Sequence, residues 1–273
     1  MRDMKIFTFW EPGEKLPGYI RACMRTWEKY LPEAEIVVLD FKNLGEYLPR
    51  AVIDSVTLLG RKRMSLAKQA DIYRALVLER HGGAWMDADT VLTPAVAASE
   101  LFEQHTEVTM FEQKDGCSRY LPGAFIRAVP GAKMIRLWAE ELYRRIGRYR
   151  KCSGLFGRVL HRGEWRKCRA WHFFLNGVID SLPDQLSAEE FSGIDMDEAK
   201  ALLHNFRKRP EGMDEYDNYQ DYYFTPGDPE PEKAAKGLIM LQNSWTPERF
   251  RAMSEAEFLR QDVRLAKLLR QLI

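Results

Sequence analysis

The stretch SLAKQADIYRALVLERHGGAWMDADTVLTP, residues 65–94, decides how the rest of the chain is interpreted. Apolar residues recur at helical spacing through its first half, where Ser65 is the predicted N-cap, and the adjacent Gly82 and Gly83 predict where that helix ends. A short apolar run follows and leads into Asp87 and Asp89, which predicts a strand with two carboxylates at its end. Side chains two positions apart on a strand point to the same face of the sheet. The two carboxylates are therefore expected to lie together.

Four charged residues in this stretch predict a cation site with polar groups beside it. Carboxylate oxygens are the ligands that Mg²⁺ and Mn²⁺ prefer, and a divalent cation lets two neighbouring carboxylates such as Asp87 and Asp89 stay ionised. Asp71 and Arg74 are three residues apart in the predicted helix and so share one face. Alone, such a pair is typical of an exposed ion pair. Its position just before the two aspartates favours a role in the same chemistry.

The composition is that of an ordinary globular protein. With 45% apolar and 30% charged residues in 273, the chain has enough apolar material for a sizeable core. The net charge of +1 gives no support to nucleic-acid binding. The four cysteines form no CxxC pair, which argues against a zinc site. Neither a membrane span nor a signal peptide is recognisable, so a cytoplasmic protein is expected.

The order of predicted elements at the start of the chain indicates an α/β fold. Residues 5–10 have the pattern of a strand, residues 19–30 that of a helix and residues 35–40 that of a second strand. Strand, helix and strand within so short a length predict a parallel βαβ unit. We expect one domain over residues 1–273, with residues 1–95 and residues 96–273 as its two halves.

The second half of the sequence is less regular. Residues 144–169 contain ten Lys or Arg against the single acid Glu164, interleaved with aromatic residues. A long loop is predicted over residues 210–233. A last strand is predicted within residues 237–245, and a charged amphipathic helix over residues 254–273. An irregular, helical C-terminal half is therefore expected.

Residues 67–90 resemble the signature of the DXD-containing sugar transferases. This superfamily includes the capsular polysaccharide synthesis proteins, yeast mannosyltransferases and the large clostridial glucosylating toxins. Its signature has D-x-x-R in a helix, then a glycine pair, an aromatic residue and D-x-D. The matching positions here are Asp71, Arg74, Gly82, Gly83, Trp85, Asp87 and Asp89. The similarity extends over roughly residues 5–180 and 238–245.

The resemblance implies a GT-A fold, with a mixed, mostly parallel sheet flanked by helices. It further implies that residues 1–95 are a nucleotide-sugar-binding half and residues 96–273 an acceptor-side half. It also implies retaining sugar transfer from a nucleotide sugar, dependent on Mn²⁺ or Mg²⁺. By the same resemblance Asp89 would bind the metal, Asp87 would lie between metal and ribose, and Asp71 and Arg74 would hold the sugar hydroxyls. Trp10 would lie against the base, and Ser244 and Trp245 would touch the diphosphate.

One position departs from the superfamily pattern. Relatives often have a histidine or an acid just before the serine-tryptophan pair, as a further metal contact. Here that place is occupied by Gln242 and Asn243. Asn243 is therefore the candidate third metal ligand, through a neutral oxygen, unless the contact comes from elsewhere.

The expected function is transfer of a hexose, most simply from a UDP-linked donor, to a surface polysaccharide or glycolipid. The expected partners are the nucleotide sugar and a glycan or lipid-linked glycan acceptor. The basic residues 144–169 would suit an anionic membrane surface that bears such an acceptor, on the inner face of the membrane. No nucleic acid is expected to bind.

Two other functions fit part of the pattern. The sequence from Asp87 to Leu92 can be aligned with the nucleophile motif of haloacid dehalogenase-type phosphohydrolases, with Asp87 as nucleophile and Asp89 as acid/base. That motif normally follows the first strand of its fold, whereas here about 85 residues precede it. A non-enzymatic glycan-binding module that uses the metal only for recognition is the other alternative.

Overall fold

The computed structural model describes residues 4–61, 64–103, 105–116, 118–170, 173–204 and 219–273. Two compact units account for the chain and are described separately. Unit 1 comprises Met1–Val38, Met86–Glu103 and Ile194–Ile273, and unit 2 comprises Leu39–Trp85 and Gln104–Gly193. The expected single domain over residues 1–273 stays a prediction.

Strands and helices alternate through the first half of the chain, and helices dominate the second. The strands are β1 Lys5–Phe9, β2 Glu35–Leu39, β3 Gly83–Met86, β4 Thr90–Leu92, β5 Val108–Asp115, β6 Ser118–Tyr120, β7 Phe125–Ala128, β8 Phe191–Asp195, β9 Leu203–His204 and β10 Leu238–Met240. The helices are α1 Gly18–Tyr30, α2 Leu44–Tyr47, α3 Arg50–Arg61, α4 Leu66–His81, α5 Lys133–Ser153, α6 Leu155–Leu160, α7 Arg162–Arg169, α8 Asn176–Ile179, α9 Tyr219–Phe224, α10 Pro231–Ala234, α11 Glu248–Arg251, α12 Glu255–Leu259 and α13 Arg264–Leu272. The predicted α/β class, with a mixed sheet and flanking helices, is confirmed.

Unit 1 is built around helix α1. This helix packs on β4, α12 and α13, and β4 belongs to a three-stranded sheet in the order β4, β10, β9. Strand β10 runs antiparallel to β4 and parallel to β9. The indole of Trp27 donates to the carbonyl of Thr90 at 2.7 Å, and the hydroxyl of Thr26 accepts from the backbone N–H of Leu92 at 2.8 Å. These bonds fix β4 against α1.

Aromatic rings pack around Tyr19 near the start of α1. Tyr19 meets the ring of Phe224 edge-on with centroids 5.9 Å apart, and the ring of Phe258 lies 5.8 Å from it. Phe250 packs against both phenylalanines. All four side chains are buried. The C-terminal helices of unit 1 therefore cover the start of α1.

Unit 2 carries its strands in the order β3, β7, β5, β6, with β8 also beside β5. Strand β5 is antiparallel to both β6 and β7. Helix α4 packs against α3 and α5, and α5 contacts α6, α7 and α8. The indole of Trp138 in α5 donates to the carbonyl of Phe174 at 2.9 Å. This bond joins α5 to the segment between α7 and α8.

Helix α4 begins and ends where the sequence predicts. The hydroxyl of Ser65 accepts the backbone N–H of Lys68, the hydrogen bond of an N-cap, and Gly82 ends the helix with φ of 62°. Its middle differs from the expected one-sided apolar pattern, because residues 71–78 are all buried. Asp71 and Arg74 are part of this buried segment. They are therefore not the exposed ion pair that their spacing alone would suggest.

Several expectations for the second half of the chain need correction in detail. The predicted C-terminal helix over residues 254–273 is two helices, α12 and α13, and α12 begins with a capping box at Ser254 and Glu257. The predicted loop 210–233 contains α9 and α10, while residues 205–218 lie outside the described part. Among the described residues, no helix is both long and apolar enough to cross a membrane.

Candidate active site

The two aspartates of the signature lie in a turn, not on the strand itself. Strand β3 ends at Met86, and the backbone N–H of Thr90 donates to the carbonyl of Asp87 at 3.0 Å, which closes a tight turn into β4. The expected strand alternation therefore does not set their directions. Asp87 is half-buried, whereas Asp89 is buried with 8% of its surface exposed.

Asp89 is held by the chain segment that follows β10. Its carboxylate oxygen Oδ2 accepts the backbone N–H of Asn243 at 2.6 Å, and its carbonyl accepts the N–H of Leu241 at 3.3 Å. Burial, together with the nearby negative charge of Asp87, raises the pKa of Asp89 to about 8. Without a neutralising partner, Asp89 therefore keeps a proton at neutral pH.

The side chain of Asn243 is fixed by helix α1. The hydroxyl of Tyr19 donates to Oδ1 of Asn243 at 2.6 Å, and the hydroxyl of Thr246 donates to the oxygen of Tyr19 at 3.2 Å. Burial and the negative charge of Asp89 raise the pKa of Tyr19, so its hydroxyl stays protonated and remains a donor. Asn243 is thus oriented through its side chain and bonded to Asp89 through its backbone.

The residues around Asp89 fit a hard divalent cation. The predicted ligands are the carboxylates of Asp87 and Asp89 and the amide oxygen of Asn243, and oxygen ligands of this kind are those that Mg²⁺ and Mn²⁺ prefer. Oδ1 of Asn243 retains a lone pair after it accepts from Tyr19. A buried carboxylate with a raised pKa is the group that an adjacent positive charge would ionise.

The other residues of unit 1 that are predicted to contact the nucleotide sugar lie on two loops. Trp10 follows β1 and is half-buried. Ser244 is exposed and Trp245 is half-buried, and both belong to the 3-10 turn Asn243–Trp245 that carries the bond to Asp89. Asn243, Ser244 and Trp245 therefore belong to one short segment.

The predicted sugar-binding pair lies in unit 2, on the buried face of α4. Nη2 of Arg74 is 3.7 Å from Oδ1 of Asp71, and both side chains are buried. Nη1 of Arg74 donates to the carbonyl of Gly123 at 2.5 Å. The guanidinium lies over the ring of Trp85, with 4.8 Å from Cζ to the ring centroid. Arg74 is therefore held from three sides.

Gly123 leaves room for that guanidinium. A Cβ atom at residue 123 would lie 2.2 Å from Nη1 of Arg74 and less than 3 Å from the side chain of Leu175. Any larger residue there would push Arg74 away from the carbonyl to which it donates. The conformation of Arg74 thus depends on a glycine 49 residues further along the chain.

Sequence reasoning missed Tyr19, Thr246 and Gly123. Tyr19 is one of eleven tyrosines and stands in a segment that is recognisable only as a helix. Thr246 directly follows the predicted serine-tryptophan pair, which was the one available hint. Gly123 lies just before strand β7, where a glycine is typical of a simple turn.

The comparison with known families identifies the class of protein. The chain is a glycosyltransferase, an enzyme that takes the sugar from a nucleotide sugar, usually with a divalent metal. The family model described as "Capsular polysaccharide synthesis protein" matches residues 1–152, more than half of the chain. The chain belongs to this family. No curated protein sequence matches it.

Three solved structures are similar to this chain at low identity. PaToxG glycosyltransferase is 13% identical with a TM-score of 0.42, over 67% of this chain and 69% of that one. A glycosyltransferase involved in glycosylation of the major capsid of PBCV-1 is 9% identical with a TM-score of 0.44, over 99% and 100% of the two chains. The apo form of the glycosyltransferase GlyE from Streptococcus pneumoniae TIGR4 is 10% identical with a TM-score of 0.41, over 99% of this chain and 63% of that one.

Proposed function

We propose that this glycosyltransferase moves a hexose from a UDP-linked donor to a surface polysaccharide or glycolipid, with retention of configuration and with a required Mn²⁺ or Mg²⁺. The 2.6 Å hydrogen bond from the backbone N–H of Asn243 to the buried carboxylate of Asp89 supports the proposed metal requirement. It joins two of the predicted ligand residues, although they are 154 positions apart in the chain.

In this proposal the cation is held by Asp89, Asp87 and the amide oxygen of Asn243. The cation supplies charge stabilisation for the departing diphosphate, as a Lewis acid. Asp89 contributes a carboxylate that Asn243 keeps in one orientation. Asp87, which is more exposed, lies between the metal and the ribose and accepts hydrogen bonds from its hydroxyls.

Asp71 and Arg74 bind the hydroxyls of the donor sugar. A carboxylate accepts and a guanidinium donates, so the pair recognises a polyol by directional hydrogen bonds that orient the anomeric carbon. The contacts of Arg74 with Gly123 and Trp85 support this role, because they restrain a side chain that is otherwise flexible. Restraint before binding lowers the entropic cost of holding the sugar.

The other donor contacts come from residues near chain turns. Trp10 stacks on the base, and Ser244 and Trp245 contact the diphosphate. The hydroxyl of Ser244 is exposed and can donate to a phosphate oxygen without loss of an internal contact. The acceptor is a glycan or a lipid-linked glycan, and the basic residues 144–169 bring the enzyme to the membrane that carries it.

A thermal-shift panel with UDP- and GDP-sugars, with and without Mn²⁺, tests donor and metal together. A UDP-hexose should raise Tm only when Mn²⁺ or Mg²⁺ is present, and excess EDTA should abolish transfer. Asp87→Ala and Asp89→Ala should lower the transfer rate by roughly 100-fold or more. Asp197→Ala, which removes an exposed aspartate of unit 1, is the matched control and should leave the rate unchanged.

Three results would contradict the proposal. Undiminished transfer in EDTA would exclude the metal requirement. An inverted anomeric configuration in the product, determined by NMR, would exclude retention. Hydrolysis of p-nitrophenyl phosphate without nucleotide-sugar binding would favour the phosphohydrolase alternative, which the family assignment does not support.

A further inference from the structure

Helix α6 in unit 2 presents an apolar surface to solvent. Leu155, Phe156, Val159 and Leu160 are 77%, 80%, 75% and 75% exposed. At 100° per residue their side chains cover an arc of about 140° on one side of the helix. The other large apolar residues that the described chain exposes are 40–53% exposed and lie outside this helix. A contiguous apolar surface of this kind marks an interaction site.

The rest of unit 2 holds α6 in a fixed orientation. Gly157, on the opposite side of the helix, is buried so closely against the carbonyl of Lys151 that a Cβ atom would not fit. Nε of Arg158 donates to the carbonyl of Ser153 at 2.8 Å, and its guanidinium lies over the ring of Trp165 at 5.4 Å from Cζ to the centroid. These contacts tie α6 to α5 and α7, so the apolar side faces outward.

Basic residues flank helix α6 in the sequence. Residues 144–169 contain ten Lys or Arg and a single acid, Glu164. This acid forms ion pairs with Arg148 and Lys167. Five of the ten are exposed and make no ion pair within the described chain. These residues are Arg150, Lys151, Arg162, Arg166 and Arg169. The exposed apolar side of α6, flanked by positive charges without an ion pair, is complementary to a partner with an apolar interior and an anionic outer layer.

We infer that α6 inserts into the interfacial region of an anionic lipid bilayer, with the basic residues of α5 and α7 on the headgroups. The six residues of α6 span only about 9 Å, so the helix lies in the interface and does not cross the membrane. Anionic lipid is preferred over an apolar protein groove as the occupant because a protein groove would leave the surrounding positive charge without a complement. The inference rests on the membrane contact of residues 144–169 in the proposed function and names the helix that enters the lipid, but it does not depend on the donor chemistry.

Flotation of the full chain with lipid vesicles tests the inference. The protein should float with phosphatidylcholine vesicles that contain 30 mol% phosphatidylglycerol and bind at least about tenfold more weakly to pure phosphatidylcholine vesicles. Phe156→Ser combined with Leu160→Ser should weaken binding to the anionic vesicles by roughly tenfold or more, since both side chains leave the lipid. Lys151→Glu combined with Arg162→Glu should weaken it comparably, and added salt should have a smaller effect on this variant.

Control variants distinguish loss of the proposed lipid-binding site from a general change in hydrophobicity or charge. Leu58→Ser removes a half-exposed leucine of α3, and Lys15→Glu with Lys29→Glu makes the same charge change outside residues 144–169. Both controls should bind vesicles as the unmodified chain does. All variants should keep the same Tm and the same stabilisation by UDP-sugar and Mn²⁺, so a failure of the donor proposal would remain distinguishable.

Three outcomes would overturn the inference. One is equal binding of the unmodified chain to neutral and anionic vesicles, or no binding to either. Another is unchanged binding after the double serine substitution in α6. The third is a stable dimer in light scattering that the same serine substitutions dissociate, because a second copy would then be the occupant of the apolar surface.

Discussion

The backbone N–H of Asn243 donates to Oδ2 of Asp89 at 2.6 Å, and this bond connects the turn after β3 with the turn after β10. The bond satisfies Oδ2 of a carboxylate that is buried. The side chain of Asn243 is fixed in turn by Tyr19. Helix α1 therefore orients the candidate cation site through Tyr19, although α1 contributes no proposed metal ligand.

Tyr19→Phe should weaken metal binding without changing the ligands. The change removes the hydroxyl that donates to Asn243 and accepts from Thr246, so the metal concentration for half-maximal activity should rise by roughly tenfold. Loss of these buried hydrogen bonds should also cost about 1 kcal/mol of unfolding free energy. Tyr30→Phe removes a hydroxyl that bonds the carbonyl of Leu272 at 3.1 Å and is the control. An equal metal requirement in both variants would exclude Tyr19 as a positioning residue.

The metal-free protein should lose stability as pH rises. Asp89 has a pKa of about 8 in the fold, against about 3.9 in an unfolded chain, so between these values the folded state binds the extra proton. Its contribution to stability is therefore complete below about pH 4 and declines up to about pH 8. Urea unfolding in EDTA at pH 5 and pH 8 measures this slope. Asp89→Asn should flatten it, and a slope identical to that of the unmodified chain would refute the assignment.

Gly123→Ala should impair sugar transfer through Arg74. The added methyl group would occupy the position of Nη1, so the guanidinium must move, and kcat should fall by roughly 10- to 100-fold. Stabilisation by UDP with Mn²⁺ should persist, since the proposed contacts of Arg74 are with the sugar. Gly147→Ala is the control because a Cβ atom there meets nothing within 4 Å. Full activity of the Gly123 variant would show that the position of Arg74 does not matter.

Native Cys23, Cys152 and Cys168 should resist thiol reagents. All three are buried, and burial, with the neighbouring Cys152, raises the pKa of Cys168 to about 11. At pH 8 only about one thousandth of that thiol would be ionised. Cys117, which lies outside the described residues, is replaced by serine before the titration with Ellman's reagent. Three equivalents should react in urea and none in buffer, and rapid reaction in buffer would contradict the burial.

Local signals made helix α4 predictable from the sequence. Ser65 is a standard N-cap residue, and Gly82 takes the positive φ that ends the helix, so both ends of α4 lie where the pattern indicated. The turn at Asp87 and Asp89 was predicted as a strand end because an apolar run does not show where the strand stops. The family signature identified the same residues regardless of that error.

Long-range contacts could not be predicted in the same way. Tyr19 and Asn243 are 224 residues apart, and nothing near either residue indicates the other. The partner of Arg74, Gly123, contributes a backbone carbonyl, which every residue has. The burial of Asp71 and Arg74 also depends on which elements cover α4, and the periodicity of α4 alone predicted only one apolar side.

The three-segment composition of unit 1 has a consequence for synthesis on the ribosome. Both segments of unit 2 have been translated by residue 193, whereas α1 in unit 1 must wait for α12 and α13, which end at residue 272. Asp89 likewise meets Asn243 only after residue 243 has left the exit tunnel. The nascent chain therefore carries α1 without α12 and α13 until residues 255–272 have been made. Completion of the candidate cation site therefore follows the synthesis of both segments of unit 2.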